Sequence, residues 1–157
     1  MAAPPCSIRA ARPSDEARIL ALADRLPAFG PTTRSAAEIA RRERRALADA
    51  LRGAPAGSVL LVAERDLMGV VGVLLLERRR DYFTDAPHGH VSILAVAQEA
   101  EGQGVGRLLL KAADDWALAQ GFRRLTLAVF TENRRARAVY QRQGWRPELE
   151  TFYKELA

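Results

Sequence analysis

The stretch EGQGVGRLLL, Glu101 to Leu110, sets glycine at positions 102, 104 and 106 just before a run of leucines. Alternate glycines weaken both a strand and a helix, so their use here points to something that must come close to the backbone. The preceding residues, HVSILAVA, read as a strand. The following ones, Arg107 to Gln120, read as a helix with Leu109, Leu110, Ala113 and Ala117 on one side and Gly121 as its stop. A strand, a bare turn and a helix N-terminus together suit an anion. The first N–H groups of a helix have no partner within it, and the dipole favours negative charge there. Spacing narrows the choice. A dinucleotide G-x-G-x-x-G starting at Gly102 requires glycine or alanine at 107, where the chain has Arg107, and no Gly-Lys-Ser/Thr triplet of a P-loop occurs. What remains is x-G-x-G-x-G after a strand ending in Leu94-Ala95-Val96; a turn whose glycines serve only close packing is the alternative.

A second block, TENRRARAVYQRQGWRP, places Asn133 before a short helix that carries Ala136 and Tyr140 and closes with Gly144-Trp145. These two blocks resemble the GNAT superfamily of N-acetyltransferases. Its acetyl-CoA loop is written Arg/Gln-x-x-Gly-x-Gly/Ala, and Gly104 and Gly106 match its two glycines. Position 101 departs from the pattern, with Glu101 where the family favours Arg or Gln; Arg107 would supply some of the missing positive charge. The opening IRAARPSD and Gly72 also fall where the family has its first strand and a third-strand glycine, so the likeness runs over nearly the whole chain.

The resemblance implies a fold, a cosubstrate and roles. The fold is α/β (α+β), a single domain over 1–157 with a mixed, mostly antiparallel twisted sheet, its fourth and fifth strands splayed, flanked by about four helices. Acetyl-CoA contacts are implied at Leu94, Ala95 and Val96, along Glu101, Gly102, Gln103, Gly104, Val105, Gly106 and Arg107, and at Asn133 and Tyr140. The pantetheine arm would lie between the splayed strands, paired with the backbone of Leu94 and Val96, while a strand N–H polarises the thioester carbonyl. Direct transfer to a primary amine follows, with Tyr140 as the acid that protonates the departing thiolate. Packing of the short helix is the other use for Tyr140, and a plain N-cap the other use for Asn133.

Removal of a proton from the acceptor calls for a base. Relatives that acetylate histones carry a glutamate on the fourth strand; this chain has His90 there, whose ordinary pKa near 6.5 suits that work through a water. Glu77, Ser92 and His88 are weaker candidates. The acceptor itself stays open among a small amine, a polyamine, a peptide N-terminus and a protein lysine.

The elements that must position these groups follow in order. CSIRAA is a first strand. Ser14 or Asp15 caps a helix with Ile19, Leu22 and Leu26 inward, and Ser35 with Glu38 makes a capping box for a second helix ending near Gly53, with Ile39, Leu47 and Leu51 inward. SVLLVAER and MGVVGVLLLER form a hairpin across a charged Arg-Asp turn. RRLTLAVF is the fifth strand, and WRPELETFYKEL supplies a terminal strand or two.

Composition sets the outer limits. At 157 residues, 48% hydrophobic and 27% charged, the chain has the make-up of one soluble domain. It shows no apolar run of membrane-spanning length and no apolar leader, and Cys6 is its lone cysteine. No membrane partner, no disulfide and no metal are expected, and the cytoplasm is the expected setting. The net charge of +5 comes almost wholly from arginine, which fits a phosphorylated cosubstrate, an acidic partner or nothing more than codon usage. ARRERRAL reads as a solvated helix face. Two rival functions remain: a non-catalytic acyl-CoA-binding module, and a nucleic-acid binder using Arg78, Arg79, Arg80, Arg123 and Arg124. The second lacks the interleaved aromatics of such surfaces. A homodimer is compatible with the family and carries no signature here.

Overall fold

The computed structural model describes residues 5–53 and 55–157. Its centre is one five-stranded sheet in the order β1 to β5: β1 (Cys6–Ala10), β2 (Val59–Arg65), β3 (Gly69–Arg80), β4 (Pro87–Val96) and β5 (Leu125–Leu127). The first four strands pair antiparallel, and β4 pairs β5 parallel. The parallel step is built by α3 (Val105–Ala119), the crossover helix that joins β4 to β5. With α1 (Glu16–Ala23), α2 (Ala36–Gly53) and α4 (Arg134–Arg142) this is the mixed sheet with four helices that the resemblance implies.

The helices form where apolar spacing and caps demand them. Ile19 and Leu22 of α1, Leu47 of α2, and Leu109, Leu110, Ala113 and Ala117 of α3 are all buried. Ile39, Leu51 and Leu26 stop half-buried. Ser35 Oγ accepts from the Glu38 N–H at 3.4 Å, half of the expected box. Asp15 does not cap α1 through its side chain. Its carboxylate takes two hydrogen bonds from Arg9, at 2.8 and 3.0 Å, and one from the Arg12 N–H at 2.8 Å. The Arg9 guanidinium holds that carboxyl below its usual range, and Arg9 itself also grips Glu64 at 2.8 Å.

Sheet and helices meet closely because two glycines clear the way. A Cβ on Gly72 would sit 3.0 Å from Leu109 and 3.1 Å from Val105, so α3 presses straight onto β3 there. A Cβ on Gly89 would come within 2.8 Å of Trp116, the α3 residue that stacks edge-on against Phe122. With α3 on that face of β4, strand alternation turns His90 to the other face, on which α1 packs with α2 behind it.

Three expectations are corrected. Residues 146–157 form no strand; Leu149, Phe152, Tyr153 and Leu156 are left exposed, and the tail is tied to the sheet by an ion pair between Glu148 and Arg124. The fifth strand is three residues long instead of eight, because β4 and β5 diverge after Val91↔Leu127 and Ala128 onward has no ladder to join. Arg65 is not part of the charged Arg-Asp turn. It is the last residue of β2 and is 2% exposed, while the turn is carried by Asp66 to Met68, with Leu67 in a left-handed conformation at φ 68°.

Candidate functional site

The site begins where the sheet comes apart. Gly89, His90 and Val91 pair with Leu125, Thr126 and Leu127, and there the β4–β5 ladder ends. On its other side β4 stays paired with β3 as far as Val96↔Gly72. A bulge marks the transition: Leu75 pairs with Ile93 and Leu76 with Val91, so Ser92 is left over. Beyond it the Ala97 N–H donates to the Val71 carbonyl at 2.8 Å. Strand alternation then turns the backbone groups of Ala95 toward β3 and those of Val96 and Leu94 toward the gap. The half-open edge of Leu94 and Val96 is therefore a hydrogen-bonding surface without a strand on it.

This edge runs into the glycine loop. Gly102 and Gly104 take left-handed φ values of 71° and 82°, which only glycine adopts without cost. A Cβ on Gly102 would meet nothing within 4 Å, so the glycine serves the turn and leaves open space above it. Gly104 caps α3, and the Leu108 N–H is the first to bond back into the helix, reaching the Gly104 carbonyl at 3.0 Å. The amides of Val105, Gly106 and Arg107 are the free first-turn donors. The Arg107 guanidinium lies 3.8 Å from where a Cβ on Gly104 would stand. Bare backbone, free amides and a positive side chain together fit a pyrophosphate.

Glu101, the departure from the family pattern, is fully engaged. Its carboxylate accepts from Arg25, next to the C-terminal end of α1, and from Arg135 of α4, the latter at 2.7 Å. Two guanidinium groups reach this corner of the loop for one carboxylate. Gln103, expected to touch the cosubstrate, turns its amide inward: Nε2 donates to the Glu99 carbonyl at 2.8 Å and Oε1 accepts from Arg65.

A polar row crosses the sheet just below the bulge. Glu77, His90 and Thr126 are register partners on β3, β4 and β5. His90 Nδ1 lies 2.7 Å from Thr126 Oγ1, Ser92 donates its hydroxyl to Glu77, and Arg79 pairs with Glu77 at 2.9 Å. Burial pushes the His90 imidazolium down to about 4, the Arg79 guanidinium adding to the effect, so the ring is neutral at pH 7. When Nδ1–H donates to Thr126, Nε2 keeps the lone pair a base needs. His88 is also buried, with Nδ1 unpartnered among the described residues.

Beyond β5 the chain enters α4. Asn133 is its N-cap, its Oδ1 accepting from the Ala136 N–H at 3.1 Å. The Trp145 N–H returns to the Tyr140 carbonyl at 3.1 Å, and the Tyr140 ring leans on Trp145 with centroids 6.1 Å apart. Burial pushes the Tyr140 phenol up, so it keeps its proton at neutral pH. A cleft of about 360 Å³ between Phe29, Gly30, Glu132, Asn133 and Arg135 joins α4 to the α1–α2 connection.

Sequence reasoning missed Arg65, Arg25, Arg135 and Thr126. The spacing of the α4 arginines gave no cue, because their partner comes from another element. Arg65 carried a cue: it ends a largely apolar strand run. The arginines proposed for nucleic acid are largely committed elsewhere. Arg79 pairs with Glu77, Arg80 with Asp85, Arg124 with Glu148, and Arg78 lies over the Phe122 ring at 5.9 Å. No helix among the described residues is long and apolar enough to cross a membrane.

Comparison with known proteins agrees with the fold. An aminoglycoside N-acetyltransferase, AAC(6')-Iy, solved in complex with CoA, superposes with a TM-score of 0.75 over 99% of this chain and 97% of its own, at 18% identity. A Trypanosoma brucei acetyltransferase does so with a TM-score of 0.69 over 97% and 100%, at 22% identity. A mycothiol acetyltransferase of Jonesia denitrificans is 47% identical over 55 residues, which is 35% of this chain and 18% of that relative's length. The model of the acetyltransferase (GNAT) family matches residues 22–145, from α1 through the loop to Trp145, and the chain belongs to that family.

Proposed function

We propose that the protein moves the acetyl group of acetyl-CoA directly to a primary amine. One observation carries the reading: the β4–β5 ladder stops at Val91, leaving the Leu94 and Val96 backbone facing a gap that leads to the glycine loop. A pantetheine arm pairs with that edge as a missing strand does, and its pyrophosphate lies on the amides of Val105, Gly106 and Arg107. Glu101 acts there through the arginines it holds, and Gln103 through the shape it gives the turn. A neighbour of the same fold solved in complex with CoA supports CoA as the ligand.

The chemistry then follows from the groups around the gap. The amine nitrogen attacks the thioester carbonyl carbon, whose oxygen takes up charge against a β4 N–H. The C–S bond breaks, and the CoA sulfur receives its proton from Tyr140. The ammonium proton leaves through water to His90 Nε2, with Glu77 beside it. A conjugate acid near pH 4 makes His90 a weak base. The lone half-buried Cys6 supports a cytoplasmic setting, and the open outer edge of β5 beside an exposed apolar tail supports a homodimer.

The test is titration calorimetry with acetyl-CoA, using ATP as control, followed by a thiol-release screen over amines. Micromolar binding of acetyl-CoA without ATP binding, and thiol release with at least one amine, is the expected result. No binding of acetyl-CoA overturns the reading, and binding without turnover on any amine leaves an acyl-CoA-binding module.

A further inference from the structure

Arg65 is the one fully buried charged side chain of the sheet, at 2% exposure. No carboxylate lies within 4.0 Å of it among the described residues, whereas Arg9, Arg25, Arg44, Arg124 and Arg135 all have one. Its Nη1 donates to Gln103 Oε1, its Nη2 reaches the Gln103 carbonyl only at 3.5 Å, and its Nε is buried with no partner. A guanidinium taken out of water and given only neutral acceptors is expensive to keep. Its position suggests what it is kept for. Gln103 stands between the left-handed Gly102 and Gly104, and its own amide ties Arg65 to the Glu99 carbonyl on the near side of the turn.

We propose that Arg65 is the positioning residue of the anion loop: it fixes the loop through Gln103 and holds beneath it a buried positive charge that a bound pyrophosphate compensates. The inference rests on reading the loop as a CoA site. Two consequences separate it from a residue that merely closes the end of β2. Its charge matters only to the pyrophosphate end of the ligand, because an interaction in a poorly screened interior is local and strong. And without ligand the charge is a burden, so replacing it with an apolar side chain of similar volume costs the empty protein nothing.

The experiment compares wild type, Arg65→Met and Gln103→Ala by calorimetry with CoA and with pantetheine, which lacks the pyrophosphate, and by thermal unfolding without ligand. Arg65→Met is expected to weaken CoA by about tenfold or more, the loss of a charged hydrogen-bonding group, while pantetheine affinity and the unfolding midpoint hold or the midpoint rises. Gln103→Ala removes the side-chain acceptor of the buried guanidinium, so it is expected to lose part of the same CoA affinity with pantetheine affinity intact and the midpoint somewhat lowered, and it decides the matter alone if Arg65→Met does not fold. CoA affinity equal to wild type in the deciding variant overturns the inference. So does an equal loss of CoA and pantetheine with a lowered midpoint. Wild-type protein that binds no CoA overturns the CoA reading and this inference together; wild type that binds it, with variants that bind it as well, overturns the inference alone.

Discussion

The hydroxyl of Ser92 donates to the carboxylate of Glu77 across two strands whose register slips at that point. Ser92 is the residue the bulge leaves without a ladder partner, so its side chain replaces a tie the backbone gives up. Burial by itself would raise the Glu77 carboxyl; the Ser92 hydroxyl and then the Arg79 guanidinium outweigh it and bring the group below its usual range.

Ser92→Ala should therefore cost about 1 kcal/mol of stability, the worth of one partly buried hydrogen bond. Denaturant unfolding measures it. An unchanged midpoint means that the bulge stands without this contact.

His90 ties stability to pH. Its folded-state pKa of about 4 lies below the unfolded value near 6.5, so both states are neutral above pH 6.5 and the full stability is present there. As pH falls from 6.5 toward 4 the unfolded chain binds the proton first, and stability declines by up to about 3 kcal/mol. Unfolding of wild type and His90→Gln across that window should give a slope in the first and a flatter line in the second. A ring that titrates near 6.5 by NMR would contradict the burial described.

Tyr140→Phe keeps the ring against Trp145 and removes the proton donor. Turnover should drop by about 10²- to 10³-fold with CoA affinity nearly intact. Equal turnover would assign protonation of the sulfur to another group.

The two glycines at the start of α3 should respond in opposite ways. Gly104→Ala forces a Cβ into a left-handed residue and should cost about 1–2 kcal/mol. At Gly106 an added Cβ meets only Val96 Cγ2, at 3.9 Å, within an ordinary helical turn; alanine there should gain about 0.5–1 kcal/mol. Thermal unfolding of the pair reads both signs at once.

Glu101→Gln removes the carboxylate that occupies Arg25 and Arg135. On the proposed reading both guanidinium groups then turn to the pyrophosphate, and CoA affinity should rise by about fivefold, while Arg135→Ala should lower it. Weaker binding by Glu101→Gln would make the carboxylate a strut the loop cannot lose.

What was legible in the sequence was local. Gly102, Gly104 and the leucines after them carry their own conformational demands, and Asn133 caps the helix it precedes whatever lies around it. The correct placing of α3, α4 and the loop follows from that. Arg65 was misread because the residue next to it, Asp66, does belong to a turn, and only the loop folding back from Gln103 buries the guanidinium. WRPELETFYKEL has strand-forming residues but no strand to pair with beyond the short β5. Glu101 looked like a defect because its partners, Arg25 beyond the end of α1 and Arg135 in α4, come from far away along the chain.

Three residue pairs join β5 to the rest of the sheet. On the proposed reading a ligand bound across the gap adds about 2.7 kcal/mol to stability when present at a hundred times its dissociation constant. Under the proposed assignment the abundance of this protein inside a cell becomes coupled to metabolic state. On that assignment limited proteolysis without acetyl-CoA is expected to cut first near β5 and the tail, and added acetyl-CoA to slow the cut.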